Sequence, residues 1–173
     1  MTESSPIPRS SREDLKMLRS RKARNMLATL AVIMGSSIGW GATPAAADGY
    51  GQTFQNRATG ACLDDSLAYG TRTVFPCNGM TFQKWDVHNW GDGTVTLKNQ
   101  NTGRCLTGGG NAVYSVSCDG SLDNYWYVIH WRDGGLTFKN QASRNCLDDS
   151  FEAHLRMFPC APAGTQSPYQ SWY

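Results

Sequence analysis

The chain repeats one sequence pattern three times, and this repetition constrains its fold more than any other feature. Each copy opens with Thr-x-x-Asn, reaches a Cys-Leu pair, carries a second cysteine 15, 13 or 14 residues later, and closes on a tryptophan. The first cysteines of successive copies are 43 and 41 residues apart. The copies occupy about residues 53–95, 96–136 and 137–173. Three units of nearly equal length predict a domain with pseudo-threefold symmetry.

The local pattern inside each copy is typical of β-structure. Apolar and polar residues alternate over short runs, as in Val95–Leu97 and Leu136–Phe138, between clusters of Gly, Asn and Asp. Residues 48–173 contain no window with the 3.6-residue period of a helix. A β-propeller has at least four blades as a rule, so three units favour an all-β β-trefoil. The tryptophans Trp85, Trp126 and Trp172 are expected to form its shared core.

The six cysteines all follow Ala47, and an even number in an exported chain indicates disulfides. Six cysteines allow fifteen pairings, and the repeat selects one pair in each copy. The expected disulfides are Cys62–Cys77, Cys105–Cys118 and Cys146–Cys160. Each closes a loop of roughly 15 residues and is expected to stabilise the fold by about 3 kcal/mol. With neither Cys-x-x-C nor a His/Cys cluster in the sequence, we expect no metal.

The first 47 residues resemble a secretory leader. Basic residues between Arg19 and Arg24 precede an apolar run from Met26 to Ile38, and small residues end the segment at Ala47. Cleavage after Ala47 would leave residues 48–173 as a secreted, extracellular protein without a membrane span. An uncleaved membrane anchor is the alternative, although the apolar run is shorter than the roughly 20 residues that a span needs.

Charge and motif patterns exclude two classes of function. Residues 48–173 hold nine basic and eleven acidic residues, a poor balance for binding nucleic acid. Adjacent carboxylates such as Asp64 and Asp65 point to opposite faces of a strand, so they cannot flank one glycosidic bond. The sequence contains neither a nucleophile elbow nor an H-E-x-x-H motif. We therefore expect a protein that is not an enzyme and needs no cofactor.

The repeats resemble a known family. The first and third copies carry Cys-Leu-Asp-Asp-Ser, then Phe-Pro-Cys, then Gln-x-Trp. Three units of this kind resemble the ricin B-type lectins, β-trefoils with a QxW motif that serve as sugar-binding modules, and the resemblance covers residues 53–173. The first copy also resembles the repeat of actinohivin-type lectins, which bind mannan. Three residues before its proline, where those lectins have tyrosine, the chain has Thr73 and Arg156. The resemblance implies a glycan or polysaccharide partner.

The resemblance also implies which residues bind sugar. In that family an aspartate accepts hydrogen bonds from sugar hydroxyls, an aromatic ring covers the apolar sugar face, and an amide contacts a further hydroxyl. The middle copy has Thr107 and Val116 at the aspartate and aromatic positions, so we expect two sites and one inactive repeat. The implied site residues are Asp64, Phe75, Asn78 and Gln83 in the first copy and Asp148, Phe158 and Gln170 in the third.

Two alternatives remain open from the sequence. The repeated Asp-Asp-Ser segments are also compatible with turns held by their side chains. A secreted β-trefoil can instead bind a protein target, as a protease inhibitor or a toxin-like effector, without binding sugar. The segment Ala161–Pro168 has no counterpart in the other copies and is the candidate surface for a protein target.

Overall fold

The computed structural model describes residues 48–173, which contain all three repeats. The predicted leader, residues 1–47, lies outside the described residues. Short strands dominate, as the alternating pattern predicts, and a 3-10 turn precedes each of the three repeat-closing tryptophans. The strands are β1 (Gly49–Gln52), β2 (Cys62–Ser66), β3 (Gly70–Val74), β4 (Trp85–Asn89), β5 (Thr94–Asn99), β6 (Cys105–Gly109), β7 (Ala112–Val116), β8 (Trp126–His130), β9 (Leu136–Asn140), β10 (Cys146–Ser150) and β11 (His154–Phe158).

The strands build a barrel that carries three hairpins. Antiparallel pairing runs from β1 to β4, β5, β8 and β9. The chain end completes the ring, because Trp172 bridges both Asn56 and Leu136. The hairpins β2–β3, β6–β7 and β10–β11 come one from each repeat, and β3, β7 and β11 contact one another. This is the predicted β-trefoil, and its three disulfides join the predicted cysteine pairs.

Three tryptophans form the centre of the core, as expected from the repeat. Each is fully buried, and each indole Nε1 donates a hydrogen bond of 3.1–3.2 Å to the carbonyl of the leucine that follows its repeat's first cysteine. Those leucines are equally buried. The pairs are Trp85–Leu63, Trp126–Leu106 and Trp172–Leu147. The same large side chain therefore satisfies its polar atom in the same way in all three repeats.

The hairpins explain the unequal cysteine spacings. Three residues join β2 to β3 and β10 to β11, whereas two residues join β6 to β7. The first hairpin also has two residues, Phe75 and Pro76, between β3 and Cys77, where each of the others has one. The paired cysteines are therefore 13 residues apart in the second repeat, 14 in the third, which has one more loop residue, and 15 in the first, which also has one more residue after the strand.

A buried carboxylate joins the first repeat to the second. Asp65, the second aspartate of the first Asp-Asp-Ser segment, is completely buried. Arg104 donates two hydrogen bonds to it, of 3.1 Å from Nε and 2.6 Å from Nη2. Hydroxyl groups of Thr71 and Thr102 also donate to this carboxylate. A bidentate guanidinium–carboxylate pair with further hydroxyl donors satisfies the buried charge.

The matching aspartate of the third repeat joins that repeat to the first. Asp149 is 1% exposed and accepts hydrogen bonds from the hydroxyl groups of Thr59 and Thr73. The middle repeat has Gly108 here, and an added Cβ would lie 3.0 Å from Trp126 and from Met157. The second aspartate of each Asp-Asp-Ser segment is therefore a structural residue that holds two repeats together.

Replacing Asp65 by alanine should lower the free energy of unfolding by about 3–5 kcal/mol, because Arg104 would keep a charge without its buried partner. Chemical denaturation of the disulfide-bonded protein measures this loss. The control is Arg57→Ala, which breaks an ion pair of the same 2.6 Å length with Asp133 at an exposed position. A much smaller loss is expected there, and equal losses would contradict the role given to Asp65.

Candidate functional site

The first predicted site centres on Asp64 of β2. The residue is 4% exposed, and the hairpin register places it opposite Arg72 of β3. The Arg72 Nε atom lies 3.9 Å from Asp64 Oδ1, and the guanidinium stacks over the Tyr69 ring, 4.4 Å from its centroid. Arg72 is nearly half exposed, whereas the carboxylate lies beneath it. The site is therefore a buried carboxylate under a surface guanidinium.

Gln83 and Asn78 lie beside this pair. The Gln83 side chain is fully buried, and its Oε1 accepts hydrogen bonds from the backbone N–H groups of Asn78 and Gly79, at 2.9 and 3.3 Å. Its Nε2 atom is buried without a hydrogen-bond partner in the described part of the chain. The Asn78 side-chain Oδ1 accepts a 3.0 Å hydrogen bond from the Met80 N–H, while the residue itself is exposed. The first site thus contains one unused buried donor.

The third repeat builds the same arrangement more tightly. Asp148 is 3% exposed, and it accepts hydrogen bonds from Arg156 Nε at 2.9 Å and from Gln170 Nε2 at 3.3 Å. Gln170 Nε2 also donates to the Pro159 carbonyl, and its Oε1 accepts from the Ala161 N–H at 3.0 Å. Both carboxylate oxygens of Asp148 are therefore occupied, unlike those of Asp64.

The middle repeat replaces the whole arrangement by a neutral one. Thr107 stands at the aspartate position, and Tyr114 stands opposite it on β7. Asn124 takes the place of the glutamine and donates a 2.9 Å hydrogen bond from Nδ2 to Thr107 Oγ1. Its Oδ1 accepts from the Asp119 backbone, which is the contact that the glutamines make in the other repeats. In all three copies the amide oxygen accepts a hydrogen bond from a backbone N–H. The middle copy alone has neither the aspartate nor the arginine.

Burial perturbs the carboxyl group of the first site. Burial raises the pKa of Asp64 above its ordinary value, and the neighbouring Asp65 charge adds to the rise. The Gln83 amide, although outside hydrogen-bonding geometry, and the Arg72 guanidinium both oppose that shift. Ionised Asp64 therefore carries an uncompensated cost of burial, as expected of a group whose partners are incomplete.

The two predicted aromatic residues do not occupy equivalent places. Counting back from the second cysteine pairs Phe75 with Phe158, but the register pairs Val74 with Cys62 and Phe158 with Cys146. The extra residue after β3 causes this difference. Phe75 is 73% exposed beyond the strand end, whereas Phe158 is 44% exposed and stacks under the Arg156 guanidinium, 4.2 Å from its centroid.

The two arginines were not predicted from the sequence as members of the sites. Counting from the proline had set Arg156 beside Thr73, whereas the register sets it beside Arg72. The signal was nevertheless present, because each arginine stands ten residues after the first cysteine of its repeat. In a hairpin whose loop has three residues, that spacing places the side chain opposite the site aspartate.

The unrepeated segment and one exposed tryptophan lie at the surface. The segment Ala161–Pro168 lines a shallow cleft of 200 Å³ with Ile129 and Trp131. Trp90 is 51% exposed and meets His88 edge to face, 4.6 Å between ring centroids. Within residues 48–173, we find neither a helix able to cross a membrane nor a cluster of three metal-binding side chains.

Replacing Asp64 by asparagine should stabilise the protein at neutral pH. A carboxyl group whose pKa is raised by folding favours the folded state while protonated, and that contribution is lost as the pH rises through the raised pKa. Asparagine resembles the protonated form, so the variant should gain stability over the wild type near pH 7 and lose this advantage towards pH 3. Denaturation at both pH values measures the difference.

The matched control is Asp148→Asn, because that carboxylate already accepts hydrogen bonds from a guanidinium and an amide. No gain is expected there at pH 7. A loss of stability at pH 7 in the Asp64 variant would contradict the incomplete pairing assigned to the first site.

Comparison with known proteins places these features in a family. A family model described as the ricin-type beta-trefoil lectin domain matches residues 51–172. The comparison with curated protein sequences gives no match. Solved structures of low sequence identity share the fold.

Three of these structures illustrate the likeness. The designed three-fold symmetric protein ThreeFoil is 21% identical, with a TM-score of 0.59 over 71% of this chain and 94% of that one. The BEL β-trefoil is 17% identical, with a TM-score of 0.62 over 73% and 92%. SeviL, solved bound to asialo-GM1 saccharide, is 17% identical, with a TM-score of 0.59 over 73% and 95%. With a family model that covers all three repeats, the chain belongs to the ricin-type β-trefoil lectin family.

Proposed function

We propose that this protein is a secreted, non-enzymatic lectin that binds carbohydrate through its first and third repeats. The observation that carries the proposal is the paired aspartate and glutamine under a guanidinium in those two repeats, replaced as a set in the middle one. Secretion is supported by the three disulfides, which form in oxidising compartments, and by the leader pattern of residues 1–47.

The first site would supply complementary groups to a sugar. The Asp64 carboxylate has accepting capacity left, because its nearest cation is 3.9 Å away. Gln83 Nε2 is a buried donor beside this carboxylate, outside hydrogen-bonding geometry and without another partner among residues 48–173. A pair of neighbouring sugar hydroxyls can donate to the first group and accept from the second. A ligand approaches them from the surface on which Arg72 lies, so the guanidinium is the first group of the site that it meets.

Other predicted residues would contact the rim of the sugar. Asn78 is exposed beside Gln83, and its amide nitrogen can donate to a further hydroxyl. Phe75 and Phe158, at 73% and 44% exposure, offer apolar surface for the C–H face of a sugar ring. Phe75 lies beyond the end of β3, whereas Phe158 stacks under the arginine that is hydrogen-bonded to Asp148, so the two rings would meet a sugar in different ways.

The third site should bind more weakly than the first. Both oxygens of Asp148 and the Nε2 atom of Gln170 already have partners, so a sugar must break hydrogen bonds to reach them. Two sites on one rigid domain nevertheless raise the apparent affinity for a polymeric glycan, because the second contact becomes intramolecular.

Glycan-array binding of the disulfide-bonded protein tests the proposal. Asp64→Asn should weaken binding to the best glycan more than Asp148→Asn does, and the double variant should lose binding while remaining folded. Tyr114→Phe, which alters the hairpin of the middle repeat, should leave binding unchanged. Folding of every variant is verified by its denaturation curve.

Two outcomes would contradict the proposal. A double variant that still binds the array would place the binding surface elsewhere on the domain. A folded wild-type protein that binds no glycan would favour a protein target, and the segment 161–168 would then be the first surface to alter.

A further inference from the structure

In each of the two sites the arginine faces the aspartate with its Nε atom and leaves its terminal nitrogens unused. Arg156 contacts Asp148 through Nε at 2.9 Å, and Arg72 approaches Asp64 through Nε at 3.9 Å. The terminal nitrogens, Nη1 and Nη2, make no hydrogen bond to any other residue of the described chain. The side chains are 33% and 45% exposed, so these donors are open to solvent. Both sites therefore present a guanidinium above the aspartate with its two terminal NH₂ groups free, hydrogen-bonded through Nε in the third repeat and at 3.9 Å in the first.

An aromatic ring supports the guanidinium in both sites, and the rings come from different positions. Tyr69, in the loop of the first hairpin, lies under Arg72, whereas the same loop position in the third hairpin is Ala153. Phe158, at the end of β11, lies under Arg156, whereas the same strand position in the first hairpin is Val74. The first and third repeats thus use aromatic rings from different positions, and in both the ring stacks against the guanidinium.

Because two different rings stack against the arginine in the two repeats, we infer that the stacked guanidinium is itself the functional feature. Stacking on an aromatic face holds the planar group and limits its rotamers, so less conformational entropy is lost when it binds a ligand. The middle repeat has Tyr114 opposite Thr107, without an arginine at this place. The arginine therefore accompanies the aspartate and glutamine in both repeats that keep them.

A free guanidinium edge matches planar and tetrahedral anions. Its N–H groups bind a carboxylate or a sulfate by two parallel hydrogen bonds, which a neutral hydroxyl cannot accept with the same charge assistance. Residues 48–173 hold nine basic and eleven acidic residues, so general attraction of a polyanion is not available. Any affinity for an anion must then come from local groups such as these.

We propose that the two sites are selective for acidic saccharides, with Arg72 and Arg156 binding the anionic group of a uronic acid, a sialic acid or a sulfate ester. This inference rests on the proposed lectin function and names its ligand class. The buried aspartate anchors the arginine and meets sugar hydroxyls, while the guanidinium binds the acid. Glu152 lies in the third hairpin loop where the first has Ala68, so repulsion should make the first site the stronger one.

Matched saccharides test the selectivity. Binding of the wild-type protein to polygalacturonate is compared with binding to its fully methyl-esterified form, and binding to dextran sulfate with binding to dextran, by biolayer interferometry in 150 mM salt. We expect at least one acidic polymer to bind about tenfold or more tightly than its neutral counterpart, which corresponds to about 1.4 kcal/mol. The two comparisons distinguish a carboxylate ligand from a sulfate.

Charge-removing variants assign the effect to the arginines. Arg72→Gln should reduce the preference for the acidic polymer strongly, Arg156→Gln should reduce it less, and the double variant should abolish it. Arg72→Lys keeps the positive charge but loses the two parallel N–H donors of the guanidinium, so an intermediate preference is expected. The control is Arg132→Gln, which removes the same charge from an exposed turn and should leave the preference unchanged.

The outcomes separate this inference from the proposed function. Equal binding of acidic and neutral polymers, or a loss of both in Arg72→Gln, would overturn the acidic selectivity while leaving a lectin. An Arg132→Gln variant as impaired as Arg72→Gln would also overturn it, because general charge would then explain the binding. Failure of every saccharide, acidic or neutral, to bind the folded protein would overturn both proposals.

Discussion

The burial of three equivalent tryptophans is the interaction on which the rest of this structure depends. Trp85, Trp126 and Trp172 each fill the same place in their repeat and donate to a leucine carbonyl on the strand that follows the first cysteine. That strand is the first of a hairpin, so the indole also fixes where the hairpin starts. The disulfide then holds its return strand. Core packing and site position are therefore set by the same residues.

The two aspartates of the first Asp-Asp-Ser segment lie on opposite faces of one strand and differ in how completely they are paired. Asp65 faces inward to Arg104 and to threonine hydroxyls, which satisfy it completely. Asp64 faces the cross-strand arginine and remains incompletely paired. A saturated buried carboxylate contributes to the fold, whereas an unsaturated one beside an unused donor has capacity left for a ligand. This difference is why Asp64, and not Asp65, belongs to the candidate site.

Sequence alone predicted the fold, the disulfides and the core, because all of these repeat with the cysteine and tryptophan spacing. It also placed Asp64 and Asp148 in matching positions. The arginine partners of these aspartates were not predicted, because counting from the second cysteine or the proline is misled by the extra residue Phe75. Register depends on loop length, and only the paired strands show that Arg72 and Arg156 are equivalent. The contacts of Arg72 with Tyr69 and of Arg156 with Phe158 use rings at different positions of the two hairpins, so the spacing within one repeat does not predict them.

The central claim is that the first and third hairpins bind saccharide and the middle one does not. An NMR titration of the ¹⁵N-labelled protein with trigalacturonate tests it most directly, because each backbone amide reports its own surroundings. We expect saturable shifts in β2–β3 at low ligand concentration, then in β10–β11, with β6–β7 unchanged. Equal shifts in all three hairpins, or shifts confined to residues 161–168, would contradict it.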